Sequence, residues 1–484
     1  MSESRSRKTV SSFLFKLVES LGNQGIAFVV SLLLARALAP SAYGVLSMLL
    51  VFIAIAQVFV QSGFNTALIQ KKDIDETDLS SVFYVSFGMA AIFYALLFVL
   101  SPWLADFFRM PALKSTLRVM ALILLPGSLL SVQNAVVARQ MAFRKLMIAS
   151  LCATILSGTV GVVMARSGAG YWALVAQQMT NQCAQTILLL ILVRWRPRRV
   201  FSFERVKGHF RFGWKLLVSG LLDTGFTNLR SMVIGKKFSD EALGFYTRGK
   251  QFPELAMNAI NGSISSVMLP VLSEQQDETE RMKQTLRRSV MLSSFVVVPL
   301  MAGLAAVAEP LIGLMLTEKW LPCVPFLQLC CIDFALYPIH TSNLSAINAK
   351  GRSDVFLKLE IIKKAYGMGI LLVTVFCFDS VMAIAWGGVV SSLVSAAVNA
   401  HPNKKLINYG YLEQMRDILP TILLSLVMFG AVYAMNALSL PAAVLLVLQV
   451  LTGAALYIGL SLLFRLESAQ FLLQVLNRLL KRGA

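Results

Sequence analysis

Charge is scarce in this sequence of 484 residues: 14% are Asp, Glu, Lys or Arg, against about 25% in an ordinary soluble domain. Acidic residues are the scarcer sign, 25 against 44 basic ones, leaving a net charge of +19. Histidine occurs three times, as His209, His340 and His401, too scattered to make a catalytic or metal-binding group. There is no G-x-S-x-G, no H-E-x-x-H and no carboxylate pair in an aqueous domain, so hydrolytic chemistry has no visible seat. Cys152, Cys183, Cys323, Cys330, Cys331 and Cys377 lie in or beside apolar segments without zinc spacing, and a disulfide framework needs small extracellular domains that are missing. No metal or cofactor is expected. The run Gly244-Phe245-Tyr246-Thr247-Arg248-Gly249-Lys250-Gln251 imitates a phosphate-binding loop, but Gln251 stands where Ser or Thr must hold magnesium, and no strand precedes it.

What the chain has instead is apolar length. Hydrophobic residues make up 57% and the mean hydropathy is +0.70. They gather in blocks of about 20 residues, the length of a helix that crosses ~30 Å of hydrocarbon. Alternating ten-residue segments of a barrel are not seen. Helices satisfy every backbone group within the segment, so an all-α polytopic membrane protein is expected. Fourteen spans are predicted: 13–38, 42–62, 80–100, 115–137, 146–165, 171–193, 212–235, 243–271, 289–308, 323–348, 355–377, 381–400, 417–436 and 441–464. Pro126-Gly127 predicts a kink in the fourth. Arg5, Arg7 and Lys8 before an apolar run, with Ala37-Leu38-Ala39, imitate a signal peptide; the run is too long for one, and an uncleaved first helix is expected.

The loops place the chain in the membrane. Loops on the N-terminal side carry about 29 Lys and Arg, with a dense block from Arg194 to Lys215, against about seven on the other side. Both ends are therefore expected in the cytoplasm of an inner (plasma) membrane, and the positive charge belongs to loops rather than to nucleic-acid binding. The basic stretch Arg194-Trp195-Arg196-Pro197-Arg198-Arg199 divides the spans. The expected organisation is a cytoplasmic N-terminus (1–12), a six-helix bundle (13–193), a basic linker (194–211), a second six-helix bundle (212–400), a cytoplasmic loop (401–416), two extra helices (417–464) and an amphipathic tail (465–484) on the inner leaflet. A weak repeat supports the two bundles. Gly25, Arg36 and Gly44 pair with Gly225, Lys236 and Gly244, all offset by 200 residues. Parallel repeats are one of the common transporter plans, with the site between halves.

Polar residues inside the spans fall at helical spacing. Lys250, Glu254, Asn258, Asn261 and Ser265 share one stripe, and Ser219, Asp223, Thr227 and Arg230 another. Lys16, Ser20, Asn23 and Ser31, with Glu19 beside them, mark the first span; Gln178, Asn181, Gln182 and Gln185 the sixth; Asp333, Tyr337, His340 and Thr341 the tenth. Ionisable groups at membrane depth usually face a watery cavity or one another. For the seventh and eighth spans a substrate lumen is the favoured reading, lined by Arg230, Lys250, Asp223, Glu254, Asn258, Asn261, Asp333 and His340. For the sixth, helix-to-helix polar contacts are favoured. Arg36 and Arg248 sit near helix ends, where snorkelling competes with a lumen role. Asp223 and Asp333 are the candidate proton or sodium carriers.

Leu34-Ala35-Arg36 through Ala42-Tyr43-Gly44, with Gly63 and Ala67-Leu68-Ile69-Gln70-Lys71-Lys72, resembles the opening signature of bacterial polysaccharide-transport proteins. Gly244-Phe245-Tyr246, Leu269-Pro270 and Gln275-Gln276-Asp277 are similar to the same family's eighth-helix pattern, and Glu318-Lys319-Trp320 with Pro325-Phe326-Leu327-Gln328 to its loop into the tenth helix. One departure is Thr317, where the family often has Gly. The resemblance is to the colanic-acid exporter type within the multidrug/oligosaccharidyl-lipid/polysaccharide flippase superfamily. It implies a non-enzymatic, two-bundle transporter that flips undecaprenyl-pyrophosphate-linked oligosaccharide from the cytoplasmic to the periplasmic leaflet by alternating access. It also implies an extra helix pair serving the lipid tail, a monomer among membrane lipids, and a polysaccharide polymerase and chain-length regulator as partners. The alternatives are an ion-coupled multidrug exporter of the same superfamily, which would favour a net negative lumen, and a membrane-embedded polymerase or transferase, which would usually carry a long outer loop.

Overall fold

Most residues of this chain have nothing but their own helix to satisfy their backbone, and the computed structural model is correspondingly helical. It describes residues 2–61, 63–71, 74–193 and 195–482. Ser265 of the eighth-span stripe and the tail from 475 onward lie outside the described side chains. Two compact units emerge, Met1–Gly244 and Phe245–Ala484.

The first unit holds α1 (Ser2–Ala37), α2 (Pro40–Gln61), α3 (Phe64–Gln70), α4 (Glu76–Phe108), α5 (Ala112–Met120), α6 (Leu124–Gln140), α7 (Phe143–Arg166), α8 (Tyr171–Val193) and α9 (Phe203–Lys237). Between α5 and α6 the chain tightens to a 3-10 turn at Ala121–Ile123. Pro126 lacks the N–H that would bond the Leu122 carbonyl, so the helix ladder is interrupted there. α4 starts at a capping box: the Asp75 side chain accepts from Asp78 N at 2.8 Å, and Asp78 Oδ2 accepts from Asp75 N at 3.4 Å. Pairing of α7 with both α1 and α8, and of α2 with α9, builds the unit.

α10 (Asp240–Glu274) begins at the end of the first unit and runs into the second. There follow α11 (Thr279–Ala306), α12 (Ala308–Leu316), α13 (Val324–Ala335), α14 (Tyr337–Ala349), α15 (Ser353–Cys377), α16 (Val381–Leu406), α17 (Tyr411–Ala434), α18 (Ala442–Leu463) and α19 (Glu467–Arg482). α17 packs along α11, and α18 along α12 and α17.

Among the described residues, eleven helices are long and apolar enough to cross a membrane. The other three expected spans, 171–193, 212–235 and 355–377, fall on α8, α9 and α15, which are long enough but too polar to qualify. α8 carries Gln177, Gln178, Asn181, Gln182 and Gln185; α9 and α15 carry several charges. Many apolar side chains are exposed along the long helices, including Val99 on α4 at 72%, Phe376 on α15 at 81% and Leu463 on α18 at 73%. In water such surface would drive association; in lipid it is the ordinary outer face of a span.

Candidate functional site

In the first unit, part of the first-span stripe turns inward. Asn23 Nδ2 donates to Ser150 Oγ at 3.0 Å, and Thr154 Oγ1 donates to Asn23 Oδ1 at 2.8 Å, pinning α1 to α7. Glu19 is buried beside them and pairs with Lys16. Asn181 Nδ2 donates to Ser157 Oγ at 3.2 Å, tying α8 to α7. These contacts fit the polar-glue role of small hydroxyl and amide side chains between membrane helices. Asp223 and Arg230, seven residues apart, share one face of α9. Asp223 is exposed and Arg230 half-buried, and Arg36, in the last turn of α1, is exposed.

A cluster that sequence reasoning missed lies where α4 and α9 begin. The wholly buried Asp78 carboxylate accepts from Lys71 Nζ on both oxygens at 2.9 Å and from Arg205 at 3.1 Å, and His209 Nε2 lies 3.0 Å away. Arg139 donates to the Leu68 and Ile69 carbonyls at 3.0 and 3.2 Å. A buried carboxylate survives in the ionised form only with such partners. The visible signal was the density of basic residues from Arg194 to Lys215 around one acidic patch, Asp73 to Asp78.

In the second unit the polar residues of α10 and α14 meet. Thr341 donates to Asn261, and the carboxylates of Glu254 and Asp333 both act electrostatically on the Tyr337 phenol. His340 sits between α14 and α16: Asn399 Nδ2 lies 3.1 Å from its Nδ1, and Ser392 Oγ lies 3.2 Å from its Nε2. The amide donates to Nδ1 and the other nitrogen donates to the hydroxyl, the pattern of a neutral imidazole. Lys363 on α15 approaches the same ring and pairs with Glu360. Lys250 and Asn258 lie along the α10 stripe, Lys250 half-buried and Asn258 exposed. Arg248 is 3% exposed, bonded to Gln251 and placed 5.7 Å over the Trp320 ring. It is therefore an interior anchor of this unit in the present conformation.

Two further features of the second unit carry no motif. The first is an amide network: Asn343 and Gln414 exchange hydrogen bonds at 2.8 and 2.9 Å, and Asn403 Nδ2 donates to Asn343 Oδ1 at 2.6 Å. It continues to Tyr409, whose hydroxyl donates to Asp417 at 2.8 Å, while Arg287 forks onto Asp417 with two bonds of 2.8 Å. Burial and the Asp417 carboxylate push the Tyr409 phenol above its ordinary range. The network fastens α17 to α11, α14 and α16. The second feature is an apolar cavity of about 690 Å³ between α11, α13, α16 and α17, lined by Val298, Ala302, Leu329, Ile332, Trp386, Ile422 and Phe429 among others.

A family model described as "Polysaccharide biosynthesis protein" matches residues 33–325. The chain belongs to that family. Its similar relatives include the teichuronic acid biosynthesis protein TuaB of Bacillus subtilis (strain 168), 26% identical over 88% of both chains. The succinoglycan biosynthesis transport protein ExoT of Rhizobium meliloti (strain 1021) is 24% identical over 79% of this chain and 75% of its own. The lipopolysaccharide biosynthesis protein WzxC of Escherichia coli (strain K12) is 24% identical over 74% and 73%. Among solved structures, the lipid II flippase MurJ in an inward closed conformation superposes with a TM-score of 0.74, covering 94% of this chain and 99% of its own at 13% identity. An inward-facing multidrug resistance transporter of the MATE family superposes at 0.60, covering 82% and 95% at 14% identity. This member of the polysaccharide biosynthesis protein family therefore shares the helical fold of those two solved structures, as the resemblance of its motifs implied, and is a multi-pass membrane protein.

Proposed function

We propose that the protein flips a lipid-linked oligosaccharide, an undecaprenyl-pyrophosphate-linked repeat unit of a surface polysaccharide, from the cytoplasmic to the periplasmic leaflet by alternating access. The observation that carries this reading is the family match over residues 33–325 in a chain whose fold is that of a lipid II flippase. Relatives named for teichuronic acid, succinoglycan and lipopolysaccharide biosynthesis put glycans on the substrate side. A pyrophosphate is a dense anion, and Arg230 and Lys250 are the cations proposed to meet it. The apolar cavity beside α17 suits a polyprenyl tail that stays in the bilayer while the head group crosses. The chemistry asked of the protein is binding and release, with no covalent step. Asp223 and Asp333 are the proposed carriers of any coupling proton or sodium ion, and the excess of basic loops on the N-terminal side supports a cytoplasmic placement of both ends. A polysaccharide polymerase and a chain-length regulator are the proposed neighbours of a monomeric transporter.

Deleting the gene in its host should make a lipid-linked sugar accumulate in the inner leaflet, as read by mass spectrometry of extracted lipids. The wild-type chain should clear it. Arg230→Ala and Lys250→Ala should each leave the accumulation in place at normal protein level, while full clearance by both would remove the cationic lumen from the proposal. Drug sensitivity without accumulation would favour a multidrug exporter instead.

A further inference from the structure

We propose that the first unit carries a subsite for one neutral sugar ring, in a polar cavity of about 190 Å³ between α2, α3, α6 and α8. The inference rests on the flippase reading above and names a place where part of the head group is read. The polar lining is Gln57, Gln61, Asn65, Ser131, Asn134 and Gln182. None is charged. Each amide offers both donors and an acceptor, and the serine offers both in one hydroxyl. That is the complement of a ring whose hydroxyls are themselves donors and acceptors.

Two of these groups lack protein partners. Asn65 Oδ1 and Asn134 Oδ1 are buried and have no hydrogen-bond partner among the described residues. Buried acceptors are nearly always satisfied, and two unsatisfied ones on amide side chains that line a single cavity suit a ligand that brings O–H or N–H donors, which a turn of either amide presents to it. Size and charge choose among ligands. One water needs about 10–15 Å³ of such space, so the cavity is many times larger than a single water or a bare sodium ion fills. No carboxylate lines it, and a cation taken out of water into a membrane interior without a counter-charge is heavily penalised. The remaining walls, Val60, Leu124 and Leu130, are apolar and suit the C–H faces of a sugar ring. α3 runs on from Asn65 toward Lys71, and α6 from Asn134 toward Arg139. Both ends belong to the basic loops, so the cavity lies in the half of the bilayer where the proposed substrate is loaded.

The test uses the full chain in lipid nanodiscs and saturation-transfer NMR with D-glucose, D-galactose and N-acetyl-D-glucosamine as probes. The double variant Asn65→Leu, Asn134→Leu removes the two acceptors. Because those atoms have no protein partner, its melting temperature should hold or rise, while binding of the preferred sugar should fall about tenfold or more. Gly127→Ala keeps every polar group but adds a methyl 3.3 Å from Gln182 Nε2, narrowing the cavity. It should weaken binding with little change in melting temperature, and it decides the matter if the double variant fails to fold. Absence of any sugar signal in the wild type, or equal signals in wild type and folded variants, overturns the subsite. So does stabilisation by sodium that the double variant loses, in place of a sugar signal. In the gene-deletion host, clearance by the wild type and equal clearance by the double variant would sink the subsite and keep the flippase. Failure of the wild type to clear would sink the flippase itself.

Discussion

Thr317 occupies a backbone conformation that its side chain opposes. It ends α12 with φ 87° and ψ 163°, its N–H bonded to the Gly313 carbonyl at 3.2 Å. That region is populated almost only by glycine and costs another residue of order 1–3 kcal/mol. The family's habit of glycine before Glu-Lys-Trp thus has a physical cause, and this chain carries the strain. Thr317→Gly should raise stability by about 1 kcal/mol, the relief of strain being offset in part by the extra freedom that glycine gives the unfolded chain. Thermal unfolding in detergent would read it as a higher midpoint. A lower one would mean that the threonine hydroxyl makes a contact worth more than the strain. Arg248 teaches the complementary lesson. Its sequence position left snorkelling and a lumen role in competition, and its burial against Trp320 depends on a ring 72 residues away, which spacing cannot disclose.

Helices α2 and α10 meet at their first turns through matched glycines. A Cβ on Gly44 would stand 1.7 Å from the Asp240 carbonyl oxygen, and one on Gly244 would stand 2.1 Å from that of Pro40. Pro40 and Asp240, like Gly44 and Gly244, are the same positions of the 200-residue repeat, so the two copies of the motif lock reciprocally. Gly44→Ala must push backbone away from backbone, at a cost of about 1–3 kcal/mol or more. It should lower the melting temperature and the yield of folded protein, whereas the same change at Gly25, with nothing within 4 Å, should be mild. Equal behaviour of the two variants would count against the close crossing. Most of the helices were readable from the chain because a span must be both long and apolar. α8, α9 and α15 were also read from their apolar stretches, with the loop charges as a check, but their polar residues leave them short of the apolar length that the other eleven reach. The direction in which each polar stripe turns was not readable. Asn23 faces α7, Asn261 faces α14, and Asn343, Asn403 and Gln414 stand on three different helices until the fold gathers them.

The proposed substrate, half polar and half lipid, would need two kinds of surface, and the second unit holds both. Amides and ionisable groups run along α10, α14 and α15 and recur near the ends of α11, α16 and α17. Between α11, α13, α16 and α17 opens the apolar cavity of about 690 Å³. Holding α17 in place falls to the bidentate Arg287–Asp417 pair and the Asn343–Gln414 exchange, because apolar side chains in lipid give little drive for helices to associate. Asp417→Ala would leave Tyr409 and Arg287 without their acceptor, and should cost about 1–3 kcal/mol in the melting of the purified protein. The cavity itself is tested by filling it. Ala302→Trp on α11 adds a bulky apolar group to a space several times its size, so the fold should hold. If a polyprenyl chain uses the cavity, clearance of the accumulated lipid-linked sugar should slow several-fold while the melting temperature stays put. Unchanged clearance with the tryptophan in place would mean that the lipid tail takes another path, and would leave the proposed head-group contacts on α9 and α10 to stand on their own variants.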